Sequence, residues 1–145
     1  MMSHYVHRTL LCLALIWGSM ACAPAKLVGP TTPSGYFFSL RASDTQLFLV
    51  LPGFSFAHLP REAEVIAQVQ NAQGQPVDGV AVEFTVAGMQ IATVTPQRVL
   101  TRSGQARAML TPSTTGATRV VARVEGMQQE VRIAVASGPS SPPSP

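Results

Sequence analysis

Hydrophobic and polar positions alternate with period two through most of the chain. Val65, Ala67 and Val69 alternate with Glu64, Gln68 and Gln70, and Ile66 is the one apolar residue on the outward side. Val80, Val82, Phe84 and Val86 form a second such run, and Ala106, Ala108 and Leu110 a third. Val120, Ala122 and Val124 make a fourth, followed by Val131, Ile133 and Val135. Period two puts one face of an extended segment in a core and the other in water, as in antiparallel sheets. Turn residues separate the runs: Gln73-Gly74-Gln75-Pro76, Asp78-Gly79, Ser103-Gly104, Thr115-Gly116 and Glu125-Gly126. No segment sustains a helical period. The pattern predicts an all-β sandwich of about seven antiparallel strands.

Two segments resist a single assignment. Tyr36 to Leu40 and Gln46 to Leu51 fit two short strands or one that switches sheets. Residues 88–101 fit one or two short edge strands interrupted by Pro96. Phe54, Phe56 and Leu59 are expected to close one end of the core. For the last hairpin, Gly126 at the first central position of a type II′ turn predicts Arg123 opposite Glu130, with Ala122 opposite Val131 and Val120 opposite Ile133.

Within residues 60–136 the run Val69-Gln70-Asn71-Ala72-Gln73-Gly74-Gln75-Pro76-Val77-Asp78-Gly79 is followed by Thr101-Arg102-Ser103-Gly104-Gln105-Ala106 and by Val121 to Gly126. In that order these segments resemble bacterial Ig-like domains of group 1, the invasin and intimin type. Asn71 stands where that family usually has Asp. The resemblance implies an Ig-like sandwich over residues 36–136 that serves as a stalk or adhesive unit.

The first 22 residues have another character. Polar, weakly basic residues (His4, His7, Arg8) precede the apolar run Leu10 to Trp17, and Ser19-Met20-Ala21-Cys22 follows. This is the layout of a secretory signal peptide. The run is far short of the ~20 residues a membrane-spanning helix needs. Cys22 after Ala21 resembles the lipobox of bacterial lipoproteins, although Ser19 replaces the usual Leu. That resemblance implies cleavage after residue 21, acylation of Cys22 and, with Ala23 next, anchoring at the outer membrane. Residues 22–35 are then a Pro-, Gly- and Thr-rich tether of at most ~45 Å. Residues 137–145 form a disordered Pro/Ser tail.

Composition narrows the chemistry. Of two cysteines, Cys12 lies in the segment to be discarded, so no intramolecular disulfide can form in the mature chain. The formal net charge of +3 comes without any run of basic residues, which argues against nucleic-acid binding. His58 is the one histidine after residue 22, and Asp44 and Asp78 are the only aspartates. That set predicts no catalytic triad, no metal site and no cofactor. Glu62 and Glu64 are expected on a solvated strand face.

Arg107, Arg119, Arg123 and Arg132 all point outward in this register, and would form a basic stripe if their strands share a sheet. The expected function is therefore a non-catalytic, lipid-anchored envelope module that binds an envelope protein. The alternative is a carbohydrate- or polyanion-binding module using those arginines.

Overall fold

A computed structural model describes residues 31–50, 58–88 and 90–138. Among the described residues, nine strands lie in two sheets. The four-stranded sheet has the order β1 (Phe37–Ala42), β3 (Ala63–Gln70), β7 (Gln105–Pro112), β5 (Ala92–Thr95). The five-stranded sheet has the order β2 (Gln46–Leu49), β9 (Met127–Ser137), β8 (Gly116–Val124), β4 (Ala81–Ala87), β6 (Arg98–Leu100). The fold is the all-β sandwich that the alternation predicts, and the Ig-like one that the resemblance implies.

Nine strands arise from seven extended runs because two runs switch sheets. The first run leaves β1 at Ser43 to Thr45 and continues as β2 in the other sheet. The second leaves β5 at Thr95, passes the cis bond to Pro96, and continues as β6. Both ambiguous segments thus resolve into two strands each. The first switch also creates the parallel pair, β2 with β9. A strand that changes sheets without reversing direction must run alongside β9, which travels the same way.

The core is built from the inward alternate positions. Phe84, Leu47, Leu110, Val65, Val69, Val82, Val120 and Val124 are fully buried, and each such side chain contributes about 1.5–3 kcal/mol. Ile66, apolar on the outer face, is nevertheless buried. In register it lies between Arg41 on β1 and Arg107 on β7, whose aliphatic stems can cover it. Leu59 is half-buried, whereas Phe54 and Phe56 lie outside the described residues.

The last hairpin departs from expectation. Its register sets Val124 against Met127, Arg123 against Gln128, Val121 against Glu130 and Val120 against Val131. Arg123 does not face Glu130. The loop residues are Glu125 and Gly126, with φ of 49° and 85°. Two positive φ values define a type I′ turn, with Gly in the second central place. The expected register is two residues out, and a two-residue slip keeps every side chain on its own face. Only a one-residue slip would have inverted the faces.

A second hairpin of the same kind joins β6 to β7. Ser103 and Gly104 take φ of 49° and 70°, and Arg102 and Gln105 exchange both backbone hydrogen bonds at 2.9 Å. Gly104 is also the point where the two sequence motifs meet. Its amide donates to Asp78 Oδ1 at 2.8 Å, and its carbonyl accepts from the Val69 amide at 2.7 Å. A Cβ on Gly104 would lie 2.6 Å from Pro76 Cβ and 2.8 Å from the Val69 carbonyl oxygen. The buried Thr101 hydroxyl donates to the Val77 carbonyl at 2.7 Å and accepts from the Val80 amide at 3.0 Å.

Gly104→Ala should therefore cost roughly 2–4 kcal/mol, combining left-handed strain with overpacking against backbone. Gly126→Ala has a comparable φ but nothing within 4 Å of the added Cβ, and should cost only about 1–2 kcal/mol. Urea unfolding of both variants checks this; equal losses would mean that the contact at Gly104 contributes nothing.

Candidate functional site

The chain meets the sandwich at one end and leaves it at the other. Phe37 at the start of β1 pairs with Gln70 at the end of β3, and Ser34 just before it reaches the β8–β9 turn. We call this the proximal end. From there β9 runs 11 residues to Ser137, about 37 Å at ~3.4 Å per residue. At the distal end the Gly138 amide donates to the Leu49 carbonyl at 2.8 Å.

The proximal attachment is built by Thr32-Pro33-Ser34-Gly35, residues expected to belong to the tether. The Thr32 amide donates to the Tyr36 carbonyl and the Gly35 amide to the Thr32 carbonyl, both at 2.8 Å. The Tyr36 amide donates to Thr32 Oγ1 at 3.1 Å, and Thr32 is buried. The Glu125 carboxylate then takes the turn from outside. It accepts from Ser34 Oγ at 2.8 Å and from the Ser34 amide at 3.0 Å. Residues 32–35 are thus held against the sandwich by hydrogen bonds.

Beside this clamp lies a cleft of about 600 Å³ whose charged lining is Asp78, Glu83, Arg98, Arg123 and Glu125. Its signs are mixed. Arg98, Glu83 and Arg123 follow one another in register across β6, β4 and β8, and Gln128 on β9 ends the row.

The four arginines that would form a stripe if their strands shared a sheet do not all lie in one. Arg107 is on β7 in the four-stranded sheet, where its guanidinium meets Glu64 at 3.1 Å and Gln105 Oε1 at 2.8 Å. Arg119, Arg123 and Arg132 are on the outer face of the five-stranded sheet. Arg119 and Arg132 stand directly opposite each other, an unfavourable pairing of like charges. Glu130 relieves it at 3.4 Å from Arg119. Both ion pairs are exposed and contribute less than ~1 kcal/mol each. Cys22, the lipidation candidate, lies outside the described residues.

The carboxylates and the histidine considered earlier are accounted for. Glu64 pairs with Arg107, and Glu62 accepts from the Thr111 hydroxyl at 3.2 Å. His58 is exposed at the start of a described segment. Ser34, Glu125, Arg98 and Arg102 were not among the site residues expected from the sequence. The Pro-Ser-Gly turn signature at 33–35 was the available signal for the clamp. Nothing local singles out Arg98, whose neighbours come from β4 and β8.

A sandwich with opposed attachment ends, structural turn motifs and exposed charged faces defines an Ig-like structural or interaction module. The chain belongs to the bacterial Ig-like domain (group 1) family, whose profile matches residues 60–136, just over half of it. Among solved structures it is similar to the D00-D0 domain of intimin, with 19% identity and a TM-score of 0.53, covering 72% of this chain and 48% of that one. It is similar to invasin, described as a bacterial integrin-binding protein, at 24% identity and a TM-score of 0.53, covering 70% and 19%. It is also similar to the Yersinia pseudotuberculosis adhesin InvE, at 22% and 0.52, covering 70% and 27%. The chain thus spans less than half of each of these structures. No curated protein matches it.

The Glu125 carboxyl is held below its ordinary value of 4.5, chiefly by the Ser34 hydroxyl and then by the Ser34 amide. A depressed folded pKa contributes stability that is in place above the unfolded value and is lost as pH falls through the folded one. The clamp should therefore hold at neutral pH and release only in acid below 4.5. The Ser34 amide resonance should titrate with a midpoint below that value, and should stay flat in Glu125→Gln.

Proposed function

We propose that this protein is a non-catalytic, lipid-anchored envelope protein that presents one Ig-like domain as a structural or protein-interaction module at the outer membrane. The observation that carries the reading is the opposition of the two attachment ends. A chain acylated at Cys22 would enter the sandwich through the Thr32–Gly35 turn, which Glu125 holds. The eight residues between Cys22 and Thr31 set the anchor at most about 30 Å away. The long axis would then project from the membrane, with both outer sheet faces and the distal end exposed to partners. Invasin, whose description names integrin binding, supports a protein as that partner.

Acylation also supplies the energy the anchor needs. Each buried methylene adds about 0.8 kcal/mol, and one chain alone binds only marginally, so a multiply acylated cysteine holds. Metabolic labelling with a palmitate analogue should mark the wild type and not Cys22→Ala. Fractionation should place the wild type with membranes, and the variant as an unprocessed precursor or a normally folded soluble domain. Equal labelling of both, or of neither, removes the anchor from the proposal and leaves the Ig-like fold intact.

The Arg119–Arg132 pair favours a second reading, a polyanion or glycan site on the outer face of the five-stranded sheet. Glycan-array binding that disappears in Arg119→Ala plus Arg132→Ala would favour it over a protein partner.

A further inference from the structure

We propose that the groove between β6 and β7 is a docking site for an acidic, extended segment of a partner protein, which adds as a strand to the free edge of β6. This rests on the interaction-module reading above and names the surface and the chemistry of the partner. It does not depend on the lipid anchor.

The groove has a volume of about 550 Å³, and Pro96, Arg98, Leu100, Arg102, Gln105 and Arg107 line it. Three of these are arginines, and no carboxylate is in the lining. The proximal cleft, by contrast, has three carboxylates against two arginines. Arg107 is held in place by Glu64 and Gln105. The other ion pair among the described residues is Arg119 with Glu130, so Arg98 and Arg102 have none. Leu100, at 58% exposure, is the most exposed large apolar residue among the described ones.

Backbone polarity points into the same groove. The Phe84 amide donates to the Gln97 carbonyl and the Thr101 amide to the Val80 carbonyl, so odd-numbered residues of β6 bond to β4. Arg98 and Leu100 therefore present their N–H and C=O groups outward, on the last strand of the five-stranded sheet. Just before β7 the Gly104 carbonyl serves β3, and the β3–β7 register keeps that parity, so Arg107 turns its backbone groups to the opposite side. There it falls between the last β5 pair, Thr95 with Met109, and the hairpin bonds at Gln105. An unpaired edge of this kind is a template for strand addition.

Charge selects the occupant. A second copy of the same edge would set arginine against arginine, which disfavours self-pairing. An extended segment with acidic residues at alternate positions would place carboxylates near Arg98, Arg102 and Arg107. Its backbone would meet the outward groups of Arg98 and Leu100. Arginine forks suit carboxylates well.

The test uses the full chain, with fluorescence anisotropy of a labelled peptide alternating Glu with Val and Thr, its Lys counterpart, and long-chain polyphosphate. The Glu peptide should bind and the Lys peptide should not. Arg98→Glu plus Arg102→Glu should weaken the Glu peptide at least about tenfold, as reversal of interface charge does. Leu100→Pro should abolish binding without removing a sheet bond, because the Leu100 amide faces outward. Leu100→Glu, which leaves the backbone untouched, should repel the Glu peptide and serves if the proline variant misfolds; circular dichroism checks all variants. No binding of the Glu peptide, or binding indifferent to these changes, overturns the proposal. Polyphosphate binding as tightly, with the Glu peptide insensitive to Leu100→Pro, makes the groove a basic patch for polyanions and overturns strand docking. Neither result alters the palmitate labelling, so failure here is distinct from failure of the anchor.

Discussion

The sandwich depends on a meeting of two turns at its proximal end. Gly104 sits so close to Pro76 and to the Val69 carbonyl that no side chain fits there. Asp78 and Thr101 fill the hydrogen-bonding needs around it. The consequence reaches both sheets. Val69 belongs to β3 of one sheet, while Val80 and Thr101 flank β4 and β6 of the other. The two motifs that mark the family in sequence are thus two halves of one contact. Their aspartate, threonine and glycine pack the two turns together and satisfy backbone groups there.

Sheet switching follows from the same economy of chain. Two extended runs cross from one sheet to the other without reversing, and each crossing leaves a short strand at an edge of the five-stranded sheet. At β2 the crossing produces a parallel pair with β9, and the Phe48 amide is taken up by the Pro60 carbonyl at 2.9 Å. At β6 the outward backbone groups of Arg98 and Leu100 receive no such cover from a neighbouring strand. The two edges differ because chain returns past β2 toward β3, whereas β6 turns straight into the hairpin at Ser103-Gly104 and diverges from β7. The unsatisfied edge and its arginines are products of that divergence.

The proximal clamp links the local turn to the module's orientation. Glu125 sits in a type I′ turn with positive φ, an unusual position for a residue with a Cβ. From there its carboxylate reaches the Ser34 amide and hydroxyl 91 positions away in the chain. The position of the Thr32–Gly35 turn is therefore held by a turn far along the sequence. Buried polar groups elsewhere follow the same rule of local satisfaction. Thr118, buried near the distal end, donates its hydroxyl to the Ala87 carbonyl.

The sequence by itself determined the sandwich, its inward-facing valines, Phe84 and Leu110, and the turns between them, because period-two alternation and glycine-bearing turns are local properties of the chain. It also carried the family likeness, since the motifs are contiguous. The register of the last hairpin was beyond it: a two-residue slip preserves every face, and only the φ values of Glu125 and Gly126 choose between the alternatives. The distribution of arginines was equally out of reach. Alternation says that Arg107, Arg119, Arg123 and Arg132 point outward, but it is blind to which sheet each strand joins, and tertiary pairing sent Arg107 to the other one. Arg98, Leu100 and Arg102 share a face by local alternation, but Arg107 came beside them, and their edge was left unpaired, only because two strands joined by a tight hairpin entered different sheets. Which outward residues become neighbours is settled by strand order, a non-local property that no window of sequence contains.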